Sequence, residues 1–180
     1  MNGIVKEEIK RVFETLESKR EFIPGESKIP LAAPSFSYEE VEDALDSMLT
    51  TWVTMGKKVG SFENKFQEYL GIDNAIMVNS GSSANLLALS TLTNPLMENK
   101  IEKGSSIVTP AVTWSTTVSP IVNVGCKPLF VDVDLDTLCI DTDLLEESIS
   151  DDTSCIMPVH LMGYPCDMKR ISKIAHENNL

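Results

Sequence analysis

From residue 75 onward, short apolar runs alternate with longer stretches of helical period. Runs at 75–78, 106–109, 128–132 and 154–159 predict strands, and the intervening patterns predict helices over 83–93, 114–124, 142–149 and 167–178. Strand–helix alternation requires right-handed crossovers, hence a mostly parallel sheet with helices on both faces: a three-layer α/β architecture. Nearly continuous runs such as IMV, LFV and CIMPV suit strands buried on both sides. In such sheets ligands gather at the carboxyl ends of the strands. Upstream the period is helical. Residues 4–20 carry Ile9, Val12, Phe13 and Leu16 on one stripe. Residues 23–36, with Pro24, Gly25, Pro30 and Pro34, predict an extended linker. These boundaries give an accessory segment at 1–36 and the α/β domain at 37–180. Ser37 and Glu40 form a capping box that opens a helix through Leu49. WVTMGKKVG (52–60) predicts a loop. A helix over 61–70 is expected to bury Phe62, Phe66, Tyr69 and Leu70 and to end at Gly71.

Composition narrows the function classes. The 180 residues are 42% apolar and carry a formal net charge of −12. That supports a true core and opposes nucleic acid or an anionic membrane as a partner, since both need a basic surface. No apolar run is long enough to span a bilayer, and the N-terminus lacks a signal-peptide pattern. The four cysteines, at 126, 139, 155 and 166, form no C-x-x-C. They read as reduced core residues of a cytoplasmic protein. Cys155, His160 and Cys166 match no zinc spacing, so no metal is expected.

Four strand ends carry the candidate chemistry. At the first, VNSGSSANLL places Gly81, Ser82 and Ser83 where an apolar run meets a helix. Amides and hydroxyls there either cap the helix or seat an anion such as a phosphate ester. No lysine follows as in a Walker loop, and no G-x-G-x-x-G occurs. The second end, TPAVTW, finishes in Trp114, whose ring either packs or stacks on a flat ligand. In the third, Asp132 and Asp134 bind a metal or cap a turn. In the fourth, HLMGYPCD, His160 is a base or a histidine satisfied by backbone, and Asp167 reads as a helix N-cap.

Taken in order, VNSGSSANLLAL, GSSIVTPAVTWSTTVSPIVNVGCKPLFVDVD and IMPVHLMGYPCDMKRI resemble the DegT/DnrJ/StrS family over about Phe22 to Leu180. The resemblance implies a pyridoxal-phosphate enzyme of the aspartate aminotransferase-like fold (fold type I) that modifies nucleotide-linked sugars. It implies that Gly81, Ser82 and Ser83 bind the cofactor phosphate, that Trp114 stacks on the pyridine ring, and that Thr54 and Gly56 lie near the sugar pocket. It also implies a homodimer and a role in polysaccharide or lipopolysaccharide synthesis.

Family chains are about twice as long, so this chain reads as the N-terminal part of the large domain. The catalytic lysine, or the histidine that replaces it in one branch, and the aspartate paired with the pyridine nitrogen are expected beyond Leu180. No lysine present substitutes: Lys57 and Lys58 read as loop residues, and Lys127 precedes a strand and so lies at the wrong sheet end. The chain alone is expected to have no turnover. For the intact enzyme two reactions are open. One is transamination of a keto-sugar. The other is 3-dehydration of a 4-keto-6-deoxy sugar with the pyridoxamine form, which FIPGESKIP, NSGSSANLL and the loop TNPLMENKIEKG resemble. A non-catalytic α/β cofactor-binding module or remnant is the alternative of another class.

Overall fold

The computed structural model describes residues 3–17, 22–29 and 35–180. Residues 18–20 of the predicted first helix, and the linker prolines Pro30 and Pro34, lie outside the described residues. The chain forms two compact units, Met1–Met77 and Val78–Leu180.

The first unit holds helices α1 (Gly3–Glu17), α2 (Tyr38–Leu49) and α3 (Lys57–Leu70). The capping box forms as predicted. Ser37 accepts the Glu39 amide, and Glu40 accepts the Ser37 amide. The Ser37 hydroxyl and amide hold the Glu40 carboxyl below its ordinary pKa. Lys6 bridges α1 to Glu42 of α2 at 2.9 Å, and Phe13 meets Phe36 with ring centroids 6.2 Å apart. Gly71 ends α3 at a left-handed φ of 66°, which favours glycine.

Three expectations fail in this unit. First, α3 begins at Lys57, so Lys57 and Lys58 are helical rather than loop residues. Its N-cap is Gly56 without a side-chain bond, and its first turn has no acid. The usual start signals are therefore missing from the sequence. Second, α3 buries none of its residues. The period places Phe62 and Phe66 on one side, but the rings stack on each other at 5.6 Å instead of entering a core. Third, 75–78, which runs to the boundary with the second unit, is part of no strand. A strand needs a ladder neighbour, and the Met77 amide goes instead to the Glu63 carboxylate at 2.8 Å.

The second unit is the predicted α/β fold. Strands β1 (Ser106–Pro110), β2 (Lys127–Val131) and β3 (Thr153–Ile156) form a parallel sheet in the order β2-β1-β3. Helices α4 (Gly81–Leu92), α5 (Ser115–Asn123), α6 (Thr142–Ser148) and α7 (Met168–Glu177) cover it. Alternation along β1 sorts the core into two layers. Ile107 packs with Leu89 of α4 and Ile121 of α5. Val108 packs with Leu145 of α6 and with Ile171 and Ile174 of α7. Each fully buried aliphatic side chain contributes roughly 1.5–3 kcal/mol. β3 stops at Ile156, short of the predicted 159. Met157 still donates to the Val108 carbonyl at 2.7 Å, but Pro158 has no amide with which to continue the ladder. Lys127 opens β2, at the amino end of the sheet as predicted.

Candidate functional site

The mouth of α4 is built by VNSGSS. Ser80 is its N-cap: the Ser80 hydroxyl accepts the Ser83 amide at 3.2 Å and donates to the Ser83 hydroxyl at 3.2 Å. The Ser80 carbonyl takes the Ala84 amide at 3.0 Å. The amides of Gly81 and Ser82 therefore have no partner among the described residues, and both residues are exposed. Gly81 is the first helical residue and has no positive φ, so no special backbone conformation demands glycine here. A Cβ at this position would meet nothing within 4 Å, so packing does not demand glycine either, and the space in front of its amide is open. Two open amides at a positive helix end can accept an anion. Ser83 differs from its neighbours: its amide is already committed, leaving its hydroxyl proton to offer.

Trp114 is the N-cap of α5, at the carboxyl end of β1, and its indole is 70% exposed. Its carbonyl accepts the Thr117 amide at 3.0 Å. The link between the two helix mouths escaped the sequence reading. Pro120 sits inside α5 and has no N–H to give the Thr116 carbonyl one turn earlier. That carbonyl instead accepts Asn85 Nδ2 from α4 at 3.3 Å. A proline in one helix thus opens the acceptor that ties it to the other. The signal was present in the chain: an asparagine within the apolar stretch ANLLAL, and a proline inside a helical pattern. The seat and the indole therefore lie on two adjoining helix N-termini. Together they can accept an anion on amides and a flat ring on an indole face.

The other two helices close their own mouths. Asp141 accepts the amides of Asp143 and Leu144 at 2.8 and 3.2 Å, and Asp167 accepts the Arg170 amide at 3.0 Å, confirming its predicted N-cap role. Asp132 accepts the Val133 amide, and Asp134 accepts those of Asp136 and Thr137, so both shape a turn. Hydrogen bonds from Thr137 hold the Asp134 carboxyl below its ordinary pKa. His160 is exposed, not buried. Its Nδ1 accepts the Cys166 amide at 3.0 Å, which places the proton of the neutral ring on Nε2. All four cysteines are free, as expected. Burial, with Cys139 alongside, pushes the Cys166 thiol up to about 11. Among the described residues no metal-binding cluster occurs.

Thr54 and Gly56 belong to the first unit. They line a cavity of about 620 Å³ with Trp52, Val53 and Lys57. The structure brings these two together, as it does Gly81, Ser82, Ser83 and Trp114.

The second unit is an open parallel α/β sheet, an architecture in which ligands gather at the carboxyl edge of the strands. By sequence, residues 34–180 match the DegT/DnrJ/EryC1/StrS aminotransferase family, and the chain belongs to it. It is 35% identical over 164 residues to the lipopolysaccharide biosynthesis protein RfbH of Salmonella typhimurium, covering 91% of this chain and 38% of that protein. It resembles the structure of E. coli GDP-4-keto-6-deoxy-D-mannose-3-dehydratase with bound hydrated PLP: TM-score 0.79, 35% identity, 85% of this chain and 39% of that one. It also resembles the PMP form of the putative sugar aminotransferase Spr1654 of Streptococcus pneumoniae: TM-score 0.74, 30% identity, 84% and 36% covered. The fold is thus that of the PLP-dependent aminotransferases, and the chain spans little more than a third of these relatives' length.

Proposed function

We propose that this chain provides the coenzyme-phosphate seat of a cytoplasmic enzyme that modifies a nucleotide-linked keto-sugar during polysaccharide or lipopolysaccharide biosynthesis. The observation that carries the reading is the pair of amides, Gly81 and Ser82, without a partner among the described residues, on a helix that Asn85 ties to the one capped by the exposed Trp114. Pyridoxal phosphate, or its pyridoxamine form, supplies an electron sink when bound. The chain's own residues fit that group. The Gly81 and Ser82 amides and the Ser82 and Ser83 hydroxyls hold a phosphate, and Trp114 gives the ring a wall. Each hydrogen bond to such a charged group is worth about 1.5–3 kcal/mol. In the first unit, the cavity lined by Thr54 and Gly56 is the candidate sugar-binding region.

Residues 37–180 form part of the coenzyme-binding domain, which in the intact enzyme dimerises with its own kind. No residue of this chain is assigned the role of the family's catalytic lysine or histidine, or of its pyridine-pairing aspartate. Two reactions remain. The family's aminotransferase description supports transamination. The likeness to a 3-dehydratase at TM-score 0.79 favours dehydration with the pyridoxamine form.

Titration with pyridoxal phosphate, pyridoxamine phosphate and phosphate-free pyridoxal, followed by ring absorbance, tests the seat. The two phosphorylated forms are expected to bind at least 10-fold more tightly than pyridoxal. Equal binding of pyridoxal removes the phosphate seat, and no binding of any form leaves a non-catalytic module.

A further inference from the structure

The cavity of the first unit contains a wall that the proposed function does not use. Trp52 leaves α2 through Thr51, a β-branched residue at φ 60°. Its indole then folds back over the next turn, and Nε1 donates to the Met55 carbonyl at 3.0 Å. Gly56 lies directly beneath it. A Cβ built on Gly56 would stand 2.7 Å from Trp52 Nε1 and 2.9 Å from Cδ1. The Gly56 φ is −157°, extended backbone that any residue adopts, so glycine is required here only for the close approach of the ring. The indole is thereby pinned with its only polar atom spent, and it remains 65% exposed. A ligand meets a bare π surface. Besides Trp52 and Gly56 the lining comprises Ser47, Thr50, Val53, Thr54, Lys57, Lys58 and Val59. Lys57 has no carboxylate partner among the described residues, whereas Lys58 is held by Asp43 and Asp46. A cavity of about 620 Å³ suits a small ligand.

We infer that Trp52 is a stacking platform for the base of the nucleotide-linked substrate. This deepens the proposed function and rests on it. A planar heteroaromatic ring stacks on an indole face through complementary quadrupoles and apolar contact. The attached phosphates carry the charge that Lys57 complements, in a chain whose net charge is −12. Gly56 acts as a positioning residue: it keeps the ring flat and touches no ligand through a side chain.

The chain has two tryptophans, so each site has its own reporter. In the Trp114→Phe protein, fluorescence comes from Trp52 alone. Guanosine diphosphate or thymidine diphosphate is expected to quench it saturably, and inorganic pyrophosphate is not. Gly56→Ala is expected to weaken that quenching at least 10-fold while the circular dichroism spectrum is retained. Trp52→Phe, followed by calorimetry with the same nucleotides, gives an independent loss of affinity if Gly56→Ala does not fold. The inference is overturned if neither nucleotide quenches, if pyrophosphate quenches equally, or if both variants bind nucleotide as the parent does. Pyridoxal phosphate titrated into Trp52→Phe reads Trp114 instead, so failure of the coenzyme seat is seen separately.

Discussion

The four helices of the second unit present their N-termini in two ways. α6 and α7 begin with aspartates, Asp141 and Asp167, whose carboxylates already accept first-turn amides. α4 and α5 begin with Ser80 and Trp114, and the Gly81 and Ser82 amides remain unbonded. The division follows the sheet: α4 and α5 pack on one face, α6 and α7 on the other. An aspartate cap fills the anion position with the protein's own charge and stabilises its helix. A serine cap satisfies one amide with a neutral oxygen and leaves the helix end positive. One face of the sheet is closed for stability, while the other keeps unmet electrostatic capacity at the edge where ligands collect.

Converting the open mouth into a closed one breaks the contrast most sharply. Ser82→Asp is expected to lower pyridoxal phosphate affinity at least 100-fold by placing a second anion in the seat. An acid in the first turn contributes about 0.3–1 kcal/mol to the helix, so the melting temperature should hold or rise. Affinity that survives would place the seat elsewhere. Next in size is the link between the open helices. Asn85→Leu leaves the Thr116 carbonyl without its donor, because Pro120 cannot supply one. The loss is expected to be about 1–3 kcal/mol in urea unfolding, with weaker quenching of Trp114 by the coenzyme. Removing the closed caps, Asp141→Ala or Asp167→Ala, should cost about 1 kcal/mol each and leave the coenzyme titration unchanged. The smallest effect concerns the closed face's buried thiol. The folded state holds the Cys166 proton more tightly than the unfolded chain does, with a pKa raised from 9.0 to about 11. Its stabilising contribution is therefore complete below pH 9 and fades as pH rises towards 11. Urea midpoints across that window should fall in the parent and fall less in Cys166→Ala.

The closed face was the easier one to read. Asp167 was legible as a cap because carboxylates before an apolar period carry a local signal, and the three ladder strands were legible from their β-rich runs. The open face was legible only in part. Gly81, Ser82 and Trp114 stood out by type, but the Asn85–Thr116 link did not. It depends on a missing hydrogen bond in one helix meeting a side chain from another, a relation that no local window contains. The segment 75–78 failed for a related reason. An apolar run describes a strand's preferences but not its partner, and here the Met77 amide finds a carboxylate instead. In the first unit, α3 was placed late because its cap is a glycine, chosen to admit the Trp52 ring and not to signal a helix start.

The central claim is that the Gly81 and Ser82 amides receive a coenzyme phosphate. Amide resonances of the labelled 180-residue protein, followed during titration with pyridoxal phosphate, test it most directly. The account predicts that the Gly81 and Ser82 protons move downfield and saturate together, while the already bonded Asp143 and Leu144 amides at the mouth of α6 stay in place. Stationary Gly81 and Ser82 signals at saturating coenzyme, or an equal shift with phosphate-free pyridoxal, would contradict it.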